Sequence, residues 1–228
     1  VVLIGAALMD LVDITIVNVA LPTIQRDLGA SGTQLQWVVS AYMLAFAAGL
    51  IVAGSFGDVL GSKRIFLGGI AVFGLASLGA GLAQSPGELI AARVVQGVAA
   101  AAMIPQLLAT FRVIFSGEER GKAFGFYGAI LGFASALGLV LGGVLTDADI
   151  LGWSWRAVFL INVPIALVSL VAAALAVPET YDPEARRPDL LGAGLLASSL
   201  VAIAYPLLEG QSLGWPAWTW PMVGAGVA

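Results

Sequence analysis

Runs of about twenty residues that carry almost no charge recur along this chain, and they limit what it can fold into. Six occupy the first 177 residues: roughly 1–21, 37–56, 65–83, 89–111, 123–145 and 157–177. A polar connector follows over 178–189, then a seventh run over 190–208, and an eighth begins near Trp218. At 1.5 Å of rise per residue, a helix needs about 20 apolar residues to cross the hydrocarbon layer of a membrane. In hydrocarbon every backbone N–H and C=O must be bonded within its own segment, so each run is predicted to be a helix. The alternating ten-residue strands of a barrel are absent. The expected fold class is therefore an all-α membrane protein.

Charged residues make up 11% of the chain, against about a quarter in soluble domains. Such a surface suits lipid, and the lipid bilayer is the first partner expected. The formal charge of −4 comes with no basic tract that would follow a phosphate backbone, so nucleic acid is excluded as a partner. There is no cysteine and no histidine. Thiolate nucleophiles, disulfides, zinc sites and imidazole proton relays are all excluded, which leaves proton handling to Asp or Glu. The chain opens on Val1 and stops within an apolar run, so it is read as a piece of a longer protein. Its first run is not a cleaved signal peptide, because it has no basic front and carries two aspartates.

The ten Lys and Arg residues orient the spans. With the amino terminus in the cytoplasm, the inner loops hold Lys63, Arg64, Arg112, Arg120, Lys122, Arg186 and Arg187, and the outer ends hold Arg26 and Arg156. Seven against two places the amino terminus inside. Trp37, Trp153, Trp155 and Trp215 then fall at the outer interface, as aromatic belts do.

Asp10 and Asp13 lie one turn apart on one face of the first span. Withdrawal from water disfavours the charged form of a carboxyl, and intramembrane carboxylates usually belong to transport or proton pathways. Arg93 is the basic residue left inside a span, with Gln96 three residues on. It is placed to pair with Asp13 across the bundle, either as a coupling device or as a permanent structural bridge. The fifth span carries glycines at four-residue intervals: Gly121 and Gly125, Gly128 and Gly132, Gly138 and Gly142. Such spacing lets helices approach closely, as fixed packing or as a sliding surface.

Several motifs go further. Asp13-Ile-Thr-Ile-Val-Asn18-Val-Ala-Leu-Pro22 and Gln36-Trp37 with Tyr42 open the first two spans. Gly54-Ser-Phe-Gly-Asp58-Val-Leu-Gly61-Ser-Lys63-Arg64 joins spans two and three. Arg93-Val-Val-Gln96-Gly97 lies in span four, Gly138-Leu-Val-Leu-Gly142-Gly143 in span five, and Trp155-Arg156-Ala-Val-Phe159-Leu-Ile-Asn162-Val-Pro164 opens span six. Together they resemble the major facilitator superfamily, and within it the fourteen-helix drug:proton antiporters. The span-five run has Leu139 where that group has proline, and the loop has Val59 and Ser62 where it has basic residues.

The resemblance implies a six-helix N-terminal bundle over 1–177, a cytoplasmic connector over 178–189, and the first central helix with the start of a second over 190–228. It implies proton-coupled efflux of a lipophilic small molecule by alternating access across the cytoplasmic membrane of a bacterium. The proton gradient would supply the energy, no cofactor is expected, and the unit would work as a monomer. Asp13, Arg93 and Asp10 would couple protons, with Asp13, which matches the motif, as the favoured carrier. Asn18, Tyr42 and Gln96 would line the substrate cavity. Gly54, Asp58, Gly61, Lys63, Arg64 and Arg112 would form an inner conformational latch, with Asp58 pairing to Arg112. Gly138, Gly142 and Gly143 would form the helix-five motif. Two other functions stay open: a proton-coupled symporter importing a metabolite, favoured by the missing proline, and a non-transporting receptor on the same fold. A membrane hydrolase would need Ser/His, a metal site, or carboxylates converging from two helices, whereas Asp10 and Asp13 share one.

The orientation is directly measurable, because the chain is naturally free of cysteine. A single cysteine at Ser116 is expected to react with a membrane-impermeant thiol reagent only from the cytoplasmic side, and one at Gln84 only from outside.

Overall fold

A computed structural model of the chain describes residues 2–148, 152–179, 189–210 and 213–227, and within them all side chains except those at 2–4, 51, 55, 58, 147, 190 and 193. The described residues form helices α1 (Val2–Leu28), α2 (Gly32–Leu60), α3 (Ser62–Gly81), α4 (Pro86–Ile114), α5 (Gly117–Asp147), α6 (Arg156–Leu160), α7 (Asn162–Ala176), α8 (Leu190–Glu209) and α9 (Thr219–Val227). Most of the expected connector, including Arg186 and Arg187, lies outside the described residues.

Helix ends follow local chemistry. Ser31 begins α2 with a capping box: its hydroxyl accepts from the Gln34 N–H at 3.2 Å, and the Gln34 side chain accepts from the Ser31 N–H at 2.9 Å. Ser85 accepts from the Glu88 N–H at 3.3 Å, with Pro86 in the first turn of α4. The Asp189 carboxylate accepts from the Gly192 N–H at 2.8 Å to open α8. One residue, Gly61 at φ 99°, separates α2 from α3. That left-handed backbone angle suits glycine and strains other residues. The sixth span is two helices rather than one: α6 and α7 meet at a turn at Ile161. Pro164 lacks an N–H, so the Leu160 carbonyl loses its partner in the next turn, and the helix slackens there.

Five helical stretches among the described residues are long and apolar enough to cross a membrane: Gly5–Leu28, Ser62–Gly81, Pro86–Ile114, Gly117–Thr146 and Arg156–Ala176. At 29 residues, with Asp58 as its sole charge, α2 is about 43 Å long by helical rise. The chain is therefore a multi-pass, all-α membrane protein.

α2 lies along α4, α5 lies along α1, and α3 packs against α6 and α7. α8 lies on α2 and pairs with α9. A groove of about 480 Å³ between α2, α4 and α8 is lined by apolar side chains, among them Ala41, Leu44, Val52, Val94 and Val201.

Small residues allow the closest crossings. A Cβ on Gly97 of α4 would run into the Tyr42 carbonyl of α2 and come within 2.9 Å of the Ala45 Cβ. Gly138 and Gly142 of α5 lie against Thr15, Ile16 and Val19 of α1, whereas Gly121, Gly125, Gly128, Gly132 and Gly143 face open space. Among the described residues, one of the three glycine pairs of the fifth span therefore packs a helix. Gly97→Ala is expected to force α2 off α4 and cost about 1–3 kcal/mol, as overpacking does. Gly125→Ala is expected to leave stability unchanged or slightly raised; thermal unfolding in detergent would compare the two.

Candidate functional site

Three ionisable Asp, Glu, Lys or Arg side chains are buried among the described residues: Asp10, Asp13 and Arg93, at 3%, 0% and 1% exposure. Helical spacing puts both aspartates on the inner face of α1. The arginine reaches them from α4, a helix that α1 touches in the bundle interior.

Asp13 is bonded through both of its carboxylate oxygens. One carboxylate oxygen forms an ion pair with Arg93 Nη1. The other accepts from Gln96 Nε2 at 3.3 Å and from Asn162 Nδ2 at 2.7 Å. Arg93 also donates to Gln96 Oε1 at 2.9 Å and, through Nε, to the Val38 carbonyl at 3.0 Å. Gln96 in turn donates to Ser77 Oγ at 2.7 Å. Five spans are tied at one point: α1 through Asp13, α2 through the Val38 carbonyl, α3 through Ser77, α4 through Arg93 and Gln96, and α7 through Asn162. A buried pair is tolerated when its remaining donors and acceptors are met in this way.

Asp10 is held differently. The Tyr42 hydroxyl of α2 donates to Oδ1, and no cation lies within ion-pair distance of it among the described residues. The Tyr42 ring carries Arg93 on its face, with Cζ 4.2 Å from the ring centroid. The two carboxylates thus communicate through Tyr42 and Arg93.

Tyr42 and Gln96, expected along a substrate cavity, are fully buried with their polar atoms committed to this network. Asn18 is exposed, and its amide donates to the Ile14 carbonyl at 2.9 Å. Gly138 and Gly142 touch α1 within a turn or two of Asp13, and Gly143 turns away.

Three residues of the expected latch, Gly61, Lys63 and Arg64, gather around a carboxylate that sequence reasoning passed over. Glu179, just beyond α7, accepts from the Lys63 N–H at 3.1 Å and sits 3.6 Å from Arg64 Nε. Lys63 Nζ donates to the Ala174 carbonyl at 2.7 Å. Gly61 lies against Glu179, while Gly54 meets nothing. The Asp58 side chain lies outside the described residues, and with it the expected pairing to Arg112. The Arg112 carbonyl accepts from Arg120 at 2.9 Å.

At the opposite end of the bundle, Arg156 donates to Asp27 at 2.5 Å and to the Ala83 carbonyl at 3.2 Å, and Trp155 Nε1 donates to Asp27 at 2.8 Å. Lys63 to Ala174 and Arg156 to Ala83 are the same device at opposite ends of the paired spans. In each, a cation in the first turn of one span binds the terminal carbonyls of the other, as helix dipoles favour.

Neither Asn162 nor Ser77 was singled out from sequence. The available signal was their type: each is a polar residue inside an apolar span, where an uncompensated polar group is costly.

A membrane-spanning helical bundle that buries charged side chains at its centre is built like a transporter. Residues 3–228 match the Major Facilitator Superfamily, and the chain belongs to that family. It is 42% identical over 227 residues to a probable actinorhodin transporter of Streptomyces coelicolor, covering 100% of this chain and 39% of the relative. It is 46% identical to a puromycin resistance protein of Streptomyces alboniger, covering 94% and 42%. It is 41% identical to a cephamycin export protein of Amycolatopsis lactamdurans, covering 89% and 42%. The chain thus spans about two fifths of the length of these curated relatives.

Among solved structures it resembles a proton:xylose symporter with a TM-score of 0.68 at 15% identity, over 93% of this chain and 53% of that one. A bacterial homologue of the lysosomal transporter Spinster gives 0.65 at 20% identity, over 99% and 57%. These likenesses establish the fold. The family is one of transporters rather than enzymes, and the hydrolase reading falls away.

A double-mutant cycle tests how the centre is held together. Arg93→Gln and Asp13→Asn are each expected to lower stability by about 3–5 kcal/mol, because each leaves one buried charge without its counterpart. The double variant is expected to lose clearly less than the sum of the two, read as unfolding midpoints in detergent.

Proposed function

We propose that this chain is the N-terminal part of a transporter that exports small, lipophilic antibiotic-like molecules across the cytoplasmic membrane in exchange for protons. The observation that carries the proposal is the Asp13–Arg93 ion pair, sealed from water inside the spans and held by bonds to α2, α4 and α7. A pair so placed responds to a change in charge by shifting helices rather than by shifting solvent. The names of the relatives support export and resistance as the direction of the reading.

In this mechanism two helical bundles rock about a midplane cavity that opens alternately to each side. Proton binding from the outer face, where protons are more abundant, and release to the inner face bias that rocking toward export. Residues 1–177 form one rocking bundle, 178–189 the cytoplasmic connector, and 190–228 the first of the central helices, with the amino terminus in the cytoplasm. The inner cluster of Gly61, Lys63, Arg64 and Glu179 holds the outward-facing arrangement until substrate or proton tips it. The apolar groove beside α8 supports a lipophilic substrate class.

The test uses the full-length protein in inverted vesicles, with variants compared at equal membrane abundance. Asp13→Asn is expected to abolish substrate-driven proton movement while the protein still inserts. Undiminished exchange by that variant would exclude the coupling role; substrate and protons moving in the same direction would favour the import reading.

A further inference from the structure

The geometry points to Asp10, hydrogen-bonded by Tyr42, as the carboxyl that binds the transported proton, with Asp13 remaining ionised throughout. This inference rests on the proton-coupled reading above and assigns the proton within it.

Charge counting comes first. The buried centre holds two carboxylates and one guanidinium, all but closed to water. With both acids ionised it carries one uncompensated negative charge inside the membrane, which costs at least a few kcal/mol. One proton removes that cost. The facing groups on every neighbouring helix are accounted for: Asp13 on α1 itself, Tyr42 on α2, Arg93 on α4 and Tyr127 on α5. α7, also packed on α1, carries no ionisable Asp, Glu, Lys or Arg, and Arg156 of α6 is paired with Asp27 near the far end of α1.

The hydrogen bonds decide where the proton sits. Asp13 accepts from Arg93, Gln96 and Asn162, and all three are pure donors toward it. A protonated Asp13 would give up its ion pair with Arg93, which has no acceptor to offer, and its O–H would find one only if the Asn162 or Gln96 amide turned over and broke its present bonds. Asp10 faces a hydroxyl instead. A tyrosine O–H donates to a carboxylate and, rotated about its C–O bond, accepts from a carboxylic acid, so the site serves both states. The step is a plain acid dissociation: Asp10 carboxylic acid gives carboxylate and a proton, with no bond to carbon made or broken. Because Arg93 rests on the same tyrosine ring, a change of charge at Asp10 reaches the Asp13 pair through Tyr42, which acts as the positioning residue.

Infrared spectroscopy of the full-length protein in vesicles tests the assignment. The wild type is expected to show a carboxylic-acid C=O band whose loss on raising the pH follows the release of one proton. Asp10→Glu is expected to shift the frequency of that band and Asp13→Glu to leave it in place. The reverse pattern, or no protonated carboxyl at any pH at which the protein transports, would overturn the assignment. In transport assays Asp10→Asn is expected to keep substrate movement down its own gradient and to lose accumulation driven by a pH gradient. Retained pH-driven accumulation would also overturn it. If wild-type transport proves indifferent to the pH gradient, the exchange reading fails by itself, and the band shifts still decide which carboxyl holds the proton.

Discussion

A charge in hydrocarbon has no solvent to stabilise it, so it must be matched by the protein or neutralised. In this bundle that requirement is met at one place, where Arg93 lies between Asp13 and the ring of Tyr42. Because the match draws donors from α4 and α7 onto a carboxylate of α1, and ties in α3 where Ser77 accepts from Gln96, it also sets how those helices stand to one another. The glycines that bring α4 against α2, and α5 against α1, permit the approach the polar centre needs. Packing and electrostatics are therefore one problem here: a side chain that parted the helices would separate the charges as well.

Much of this was visible in the sequence, and the misses have physical reasons. Apolar runs located every span, yet α1 continues past Pro22 to Leu28, and α5 begins at Gly117, six residues before its apolar run. Charges and prolines mark where hydrocarbon ends. A helix can continue beyond that edge, where water and capping side chains satisfy its last turns. The break at Ile161 escaped notice because a single proline inside a long apolar run weakens a helix without changing its hydropathy.

The candidate site was legible where it is charged and obscure where it is neutral. Asp10, Asp13 and Arg93 stand out because ionised groups are rare in such spans, and opposite charges suggest their own pairing. Asn162 and Ser77 do not announce a partner, and Asn162 meets Asp13 from 149 residues away. Glu179 was hidden differently: in a polar stretch at the end of a span it looks like any solvated acid, and only the fold brings it over the first turn of α3.

That position of Glu179 has a mechanical consequence. With only Gly61 between α2 and α3, the joint has almost no slack, so α3 cannot pivot without dragging the end of α2. Glu179 grips α3 just past this joint while belonging to the end of the sixth span, and Lys63 returns the grip on Ala174. Three helix ends thereby share one elbow. A tilt started on either side of that elbow is geared directly into the other, without passing through the charged centre at all.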